Sequence, residues 1–280
     1  MGPTVAARTG PRPRNGPPYA GGVSNDGSRT LEGTPNPEAP NPQLPIVQKL
    51  RLRYAKRGRM RFTSHRDFAR AFERAIRRAG LPIGHSSGYT PHPKISYAGA
   101  SPTGAASEAE FAEIGLTRAM APAEVRDALD AALPDGLDVV DVVVSPGGAL
   151  ADLLEASRWS IELPEVFPEA ARAAVEAFLA RDEVLVERMM KRGLRTFDCR
   201  AAVVRLDVDD RTGAQGCAIL DVVVRHDTPS VRPDDVITGL RTLCGLPIEK
   251  APLATRSSQG PLDVRTGTVG DPLATGRDAP

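Results

Sequence analysis

The strongest periodic pattern in the chain lies at residues 65–79, where apolar and basic residues recur at the spacing of a helix. One predicted face carries Phe68, Ala71, Phe72, Ala75, Ile76 and Ala79, and the opposite face carries Arg66, Arg70, Arg74, Arg77 and Arg78. Ser64 and Asp67 have the spacing of a helix cap, and Gly80 with Pro82 marks the end of the helix. The pattern predicts an amphipathic helix that buries one side and exposes a row of arginines.

Strand patterns surround this helix. Residues 46–55 alternate apolar and basic side chains, which predicts a strand with one exposed, basic face. Further strands are predicted at 95–98, 109–116 and 137–144, and a second helix opens at 121–124 and runs to about residue 132. The order is strand, helix, two strands, helix and strand, which is the ferredoxin-like pattern.

The second half of the chain repeats this series with one extra strand. Strands are predicted at 158–163, 184–189, 197–208, 218–225 and 246–250, and helices at 168–180 and 233–243. The strands at 184–189 and 197–208 can pair as a hairpin around Lys191, Arg192 and Gly193. We therefore predict an α+β fold of two tandem ferredoxin-like halves, residues 46–150 and 151–251, which meet near Gly147 and Gly148.

Both ends of the chain are predicted to be disordered. Residues 1–45 contain ten prolines and few large apolar side chains, so they cannot bury enough surface to offset the loss of chain entropy. Residues 252–280 are also polar and rich in Gly, Thr, Asp and Pro, and the same prediction applies to them.

The net charge of +1 hides a strong asymmetry along the chain. Residues 49–78 contain 12 Lys or Arg and 2 Asp or Glu, whereas residues 107–187 contain 18 acidic and 5 basic residues. This distribution favours a basic binding face on an acidic body. The three cysteines form no CxxC pair and no apolar stretch has the length of a membrane span, which predicts a cytoplasmic protein.

The basic region also carries an ordered motif. Its residues are Arg61, Phe62, Ser64, His65, Asp67, Arg70, Arg74, Arg77, Arg78, Leu81, Pro82, Ser87, Gly88, Tyr89, Pro91, Pro93, Gly104, Ser107 and Glu110. This run resembles the radical-SAM-linked domain of unknown function, with Tyr89 in place of the usual Phe. A weaker similarity is to the CRISPR repeat-processing endoribonucleases, although residues 246–260 lack their glycine run.

The resemblance implies a role beside radical SAM enzymes of a type associated with RNA modification. This chain has no C-x-x-x-C-x-x-C motif, so it resembles only the appended domain and not the radical SAM catalyst. The implied partners are RNA and a radical SAM or RNA-processing enzyme, and no cofactor is predicted for the chain itself.

His65 is the candidate catalytic residue. It stands one position after the predicted cap of the basic helix, where it could act as a general base on a 2′-hydroxyl or serve only as a hydrogen-bond partner. A metal site from His65, Asp67, His85 and His92 has no supporting ligand spacing.

The loop at residues 84–94 is the candidate binding loop. Gly84 and Gly88 permit close backbone approach, Tyr89 can stack on a base, and Lys94 can reach a phosphate. The alternative is a long crossover held by Pro91 and Pro93. The full predicted nucleic-acid surface is Arg61, His65, Arg66, Arg70, Arg74, Arg77, Arg78, Tyr89 and Lys94.

Three functions are consistent with these residues. The first is a non-catalytic RNA-binding module linked to RNA modification or processing. The second is a metal-independent endoribonuclease with His65 as the base. The third is a protein-interaction adaptor in which the arginines only keep the helix soluble.

Overall fold

One mixed β-sheet runs through the protein, with α-helices packed on it. A computed structural model describes residues 44–87, 90–190 and 193–277, and the predicted disorder of residues 1–43 lies outside them. Within the described residues the chain has an α+β fold whose largest sheet contains eight strands. No helix in this part of the chain is long and apolar enough to span a membrane.

The elements of residues 48–144 follow the predicted order. We call residues 48–144 the first repeat and residues 156–260 the second repeat. The elements of the first repeat are β1 Gln48–Lys56, α1 His65–Arg78, β2 Ile95–Ala98, β3 Ala106–Leu116, α2 Pro122–Ala132 and β4 Leu137–Val144. The strands lie in the order β4-β1-β3, β2 pairs with β3, and all these neighbours are antiparallel. Helices α1 and α2 bury their apolar sides in one core with β1, β3 and β4.

The second repeat has the same strand order with an inserted hairpin. Its elements are β5 Ala156–Leu163, α3 Pro168–Leu179, β6 Leu185–Met190, β7 Gly193–Asp198, β8 Val203–Val208, β9 Ala218–Arg225, α4 Pro233–Leu243 and β10 Leu253–Gly260. The order is β10-β5-β9-β8, with every neighbouring pair antiparallel. Trp159 lies in the core that α3 and α4 share with these strands.

The hairpin at residues 185–198 confirms one sequence prediction and corrects another. Strands β6 and β7 pair with each other and form a separate two-stranded sheet. The single strand predicted at 197–208 is wrong, because the chain turns after Asp198. The Asp198 carboxylate accepts hydrogen bonds from the backbone N–H groups of Arg200 and Ala201, and this turn separates β7 from β8.

The C-terminal region contains the largest correction. The strand predicted at 246–250 is absent, and β10 lies instead at Leu253–Gly260, inside the segment predicted to be disordered. β10 occupies the middle of the sheet, parallel to β3 and antiparallel to β5. Its polar sequence conceals the strand, because its buried side chains are Arg256 and Gln259 rather than aliphatic residues. The described part of the predicted tail, residues 252–277, is therefore ordered.

The seam between the two repeats is held by a buried ion pair. Arg256 of β10 and Glu110 of β3 are 3% and 2% exposed, and their side chains are joined by a salt bridge. The same guanidinium donates to Gln259 Oε1 at 2.7 Å and to Ser107 Oγ at 3.3 Å. Its Cζ atom lies 5.4 Å from the centre of the Trp159 ring. Each of the three guanidinium nitrogens of Arg256 thus donates a hydrogen bond, and the bonds to Ser107 and Glu110 cross the seam to β3.

The face of the first repeat opposite the helices is also covered. A small core joins Phe111, Val143, Leu150, Leu154 and Leu273, so the chain after β4 and the chain after β10 both cover this side. The basic face predicted for the first strand is therefore largely covered: Arg51 is buried and Arg53 is partly buried, whereas Lys49 stays exposed. This covering of both faces explains why basic side chains of β1 are buried.

Arg51 is a basic residue of β1 that was predicted to be exposed and is buried. It is 1% exposed, and its guanidinium donates to Glu113 and to the carbonyls of Gly147 and Gly148 at 2.6 and 2.9 Å. Gly147 and Gly148, near which the two halves are predicted to meet, thus supply the acceptors that a buried arginine needs.

We expect Glu110→Gln to destabilise the folded protein by about 3–5 kcal/mol near pH 7, because Arg256 would stay charged in the seam without a carboxylate. Burial alone would raise the pKa of Glu110, but Arg256 and hydrogen bonds from Ser107 and Ser101 outweigh it and hold that pKa below its usual value. The pair therefore contributes fully above the unfolded-state pKa of 4.5, and the contribution falls as the pH drops towards the folded-state pKa.

Urea unfolding of the wild type and Glu110→Gln between about pH 3 and pH 7 measures this effect, and the difference in stability should narrow in acid. Glu108→Gln is the matched control on the same strand, since Glu108 pairs with Arg57 at the surface. We expect it to change stability by less than about 1 kcal/mol. A stability difference for Glu110→Gln that stays constant across this pH range would contradict the assignment.

Candidate nucleic-acid interface

The rotation of α1 is set by aromatic packing on its buried side. Phe68 stacks on Tyr54 of β1 with ring centres 4.3 Å apart and an interplanar angle of 4°. Phe68 and Phe72 also make T-shaped contacts with the ring of Tyr97 in β2. The Ser64 side chain accepts a hydrogen bond from the Asp67 N–H, which confirms the predicted cap. Since the apolar face is fixed in this way, the opposite face of the helix points to solvent.

All five arginines of the helix lie on that solvent face, and we call Arg66, Arg70, Arg74, Arg77 and Arg78 the arginine face. Few negatively charged groups lie near enough to neutralise these arginines. Arg70 is 3.9 Å from the exposed carboxylate of Asp67, and Arg78 donates to the carbonyl of Ala132. Among the described residues, Arg66, Arg74 and Arg77 have no carboxylate within 4.0 Å. The helix therefore presents a surplus of positive charge to solvent.

The other residues predicted for the interface differ in how exposed they are. Lys94 is exposed, and Tyr89 lies outside the described residues. Arg61 is only partly exposed and donates to the carbonyls of Gly104 and Ala254 at 2.6 and 3.4 Å. Its guanidinium therefore holds the loop before β3 and the start of β10, which is a structural role that the sequence pattern did not reveal.

The loop before β2 is tied to the sheet at its base. Lys94 N–H donates to the Gly84 carbonyl at 2.7 Å, and Gly84 N–H donates to the carbonyl of Gly115 at 2.8 Å. A Cβ at position 84 would lie 2.0 Å from Ile46 Cδ1. Gly84 therefore lets Ile46 pack closely against the backbone, which is a structural reason for a glycine here, and the close approach of a ligand to this position stays a prediction.

Phe62 is an interface candidate that sequence reasoning missed. It is 67% exposed, two residues before the Ser64 cap of α1, and the Cζ atom of Arg61 lies 5.9 Å from the centre of its ring. An exposed aromatic ring beside an arginine row can stack on an unpaired base. Its signals in the sequence are its place in the ordered motif and its position between the basic strand and the helix cap.

His65 is the first residue of α1, and it is exposed. Its ring makes a T-shaped contact with the ring of Tyr97, with ring centres 5.1 Å apart. His85 and His92 belong to the following loop, where His92 N–H donates to Ser86 Oγ at 3.0 Å. No cluster of three or more His, Cys, Asp or Glu side chains that could hold a metal ion occurs in the described part of the chain.

A pocket of about 760 Å³ adjoins the N-terminal end of the arginine face. Its wall includes His65, the loop 99–103, Ser157 and Trp159 of β5, His226 after β9, the segment 230–234 at the start of α4, and Arg256 and Gln259 of β10. The two repeats thus both contribute to it, and His65 belongs to the pocket as well as to α1.

Ser157 and His226 form a hydrogen-bonded pair in this wall. His226 Nδ1 lies 2.7 Å from the carbonyl oxygen of Leu154, so Nδ1 must carry a proton. In the neutral ring Nε2 is then an acceptor, and it lies 2.7 Å from Ser157 Oγ. Burial lowers the pKa of His226, which favours this neutral form. Neither residue was predicted, because a single serine in a strand and a single histidine after a strand carry no recognisable spacing.

Comparison with known proteins gives a family but no characterised relative. A search of curated proteins finds no match for this chain. A family model described as an uncharacterized protein conserved in bacteria matches residues 49–233, which is more than half of the chain and includes the arginine face, the loop before β3 and most of the pocket wall. The chain therefore belongs to this uncharacterised bacterial family, DUF2344.

Proposed function

We propose that this protein is a non-catalytic RNA-binding module that acts with an enzyme of RNA modification or processing. The observation that supports RNA binding best is the arginine face, in which five guanidinium groups are exposed on one helix. Arginine binds phosphate oxygens through two parallel hydrogen bonds, and a row of arginines matches a row of phosphates.

The spacing of the arginine face fits a nucleic-acid strand. Arg66 and Arg77 are 11 positions apart, which corresponds to about 16 Å along a helix axis. In a duplex, the phosphates of one strand are spaced about 3.4 Å along the helix axis, so this length corresponds to about five of them. Phe62 at one end of the row offers a ring for stacking, a mode that proteins use on single-stranded RNA. Single strands and hairpin loops are therefore the preferred RNA class.

The fold is consistent with this proposal. We interpret the two repeats as tandem ferredoxin-like halves, since the strand orders β4-β1-β3-β2 and β10-β5-β9-β8 follow one scheme. The inserted hairpin β6–β7 is the extra element of the second half. The resemblance of residues 61–110 to the radical-SAM-linked domain favours a radical SAM enzyme as the partner.

The first expected result concerns salt. Affinity for a single-stranded or hairpin RNA should fall with salt by about 0.7 to 0.9 log units per log unit of salt for each phosphate contacted. Arg70→Gln combined with Arg77→Gln should reduce that slope by about 1.4 to 1.8, because two phosphate contacts are lost. Fluorescence anisotropy over a salt series measures the slope.

The matched control is Arg172→Gln with Arg241→Gln, which removes two exposed arginines from α3 and α4. We expect this control to keep the wild-type slope. An unchanged slope in the Arg70/Arg77 variant, with its thermal unfolding also unchanged, would exclude the arginine face from the interface.

The second expected result concerns His65. We expect purified protein to bind RNA without cleaving it, and His65→Ala to weaken binding by no more than about 1–3 kcal/mol, the scale of one polar contact. Gel analysis of labelled RNA after incubation with a chelator tests for cleavage, and anisotropy gives the affinity. Metal-independent cleavage that His65→Ala abolishes, with binding retained, would instead support an endoribonuclease.

The third expected result concerns the partner. Affinity purification of the tagged protein from its native bacterium should recover RNA together with a radical SAM or RNA-processing enzyme. The Arg70→Gln/Arg77→Gln variant should lose the RNA and keep an enzyme that binds the protein directly. Recovery of neither RNA nor such an enzyme would leave the adaptor function as the better account.

A further inference from the structure

Behind the wall of the pocket beside α1, two buried cations, Lys56 and Arg256, and the partly exposed Arg61 outnumber one buried carboxylate, and of these cations Arg256 lines the pocket itself. Lys56, Arg61 and Arg256 surround the loop 99–104 and β10, and Glu110 is the carboxylate among them. Lys56 is 5% exposed, and its amine donates to the Pro102 carbonyl at 3.4 Å. Within the described ranges, neither Lys56 nor Arg61 has a carboxylate within 4.0 Å. Buried cations are normally paired, so this wall favours an anion beside it.

Two side-chain polar atoms of the same wall have no hydrogen-bond partner among the described residues. They are Gln259 Nε2 and Ser101 Oγ, and the two residues are 1% and 9% exposed. Gln259 Oε1 accepts from Arg256 Nη1 at 2.7 Å, which fixes the amide orientation and leaves Nε2 as a donor. The amide packs on Gly99, where a Cβ would lie 2.6 Å from Nε2. The wall thus contains donors that lack acceptors.

The start of α4 adds further groups that favour negative charge. Arg232 is the N-cap of this 11-residue helix, and its side chain is exposed at the pocket rim. The first N–H groups of a helix carry partial positive charge and bind anions. His65 and His226 also line the pocket, and Asp234 is the acidic residue of its lining. The lining thus carries two arginines, Arg232 and Arg256, and one carboxylate, Asp234, so its formal charge is positive.

The size and the aromatic residue of the pocket indicate a ligand larger than a simple anion. About 760 Å³ lies within the range of small-molecule sites, and Trp159 lines one side. A planar base and a sugar can occupy such a volume when a phosphate meets the positive wall.

We propose that this pocket binds a nucleoside monophosphate unit. Its source is either the RNA held by the arginine face or a free nucleotide, since the recognised chemistry is the same. The RNA source rests on the proposed function, whereas recognition of the phosphate does not. His65, shared by α1 and the pocket, lies where a strand would pass from one to the other.

Isothermal titration calorimetry with 5′-AMP and 5′-UMP tests the proposal, with adenosine and uridine as controls that lack the phosphate. We expect the nucleotides to bind at least about tenfold more tightly than the nucleosides, the scale of one charge-assisted contact. Trp159 is the single tryptophan of the chain, so its fluorescence should change saturably with the same affinity. Equal affinity for nucleotide and nucleoside, or no binding of either nucleotide at about 1 mM, would overturn the proposal.

Two substitutions locate the site. Arg232→Gln should weaken nucleotide binding by about tenfold, whereas Arg241→Gln, an exposed arginine of the same helix outside the pocket, should leave it unchanged. Gln259→Glu replaces the unpartnered donor with an anionic acceptor and should also weaken binding. If Gln259→Glu fails to fold, the Arg232/Arg241 comparison still decides. Equal nucleotide affinities of wild type and Arg232→Gln would place the ligand elsewhere and overturn the assignment.

The arginine-face variant distinguishes between the two sources of the ligand, RNA and a free nucleotide. Arg70→Gln/Arg77→Gln should bind RNA more weakly and 5′-AMP as tightly as the wild type. If RNA is the source, a bound oligonucleotide should change Trp159 fluorescence and compete with 5′-AMP. A nucleotide that binds while no RNA does would reject the proposed function and retain the pocket as a free-nucleotide site.

Discussion

The salt bridge between Arg256 and Glu110 is the interaction on which the arrangement of this protein depends. A charged pair this deeply buried is stable only when its remaining donors and acceptors are also matched. Here Gln259, Ser107 and the ring of Trp159 meet the guanidinium, and the Ser101 N–H meets the carboxylate at 3.1 Å. Because one partner belongs to β10 and the other to β3, their pairing joins the last strand of the second repeat to the first repeat.

The same interaction positions the candidate site. Glu110 accepts from the N–H of Ser101, and Arg61 binds the carbonyl of Gly104, so both ends of the loop 99–104 are held against the seam. That loop forms one wall of the pocket, and β10 and the start of α4 form others. The pocket is therefore a product of the contact between repeats, and neither repeat would contain it alone.

Arginine serves three different purposes in this structure, and its surroundings decide which. Arg51 is buried and neutralised by Glu113 and by backbone carbonyls. Arg57 pairs with Glu108 and Asp138 at the surface. The arginines of α1 lie on a helix whose other face is fixed by stacked aromatic rings, so they remain directed at solvent. The basic segment 49–78 therefore presents its positive charge to solvent mainly through its helix.

The sequence by itself determined the elements that have a repeating apolar pattern. The bounds of α1, the Ser64 cap, the hairpin and most strands follow from local periodicity and cap chemistry, which need no knowledge of distant residues. The exposure of the arginine face also follows, because a helix with one apolar side must turn the other side outwards. Only the tertiary structure decided the position of β10, the burial of Arg51 and the pairing of Ser157 with His226. Each of these depends on polar groups far apart in sequence that satisfy one another in the interior, and a polar residue in a sequence carries no sign of whether a distant partner will meet it.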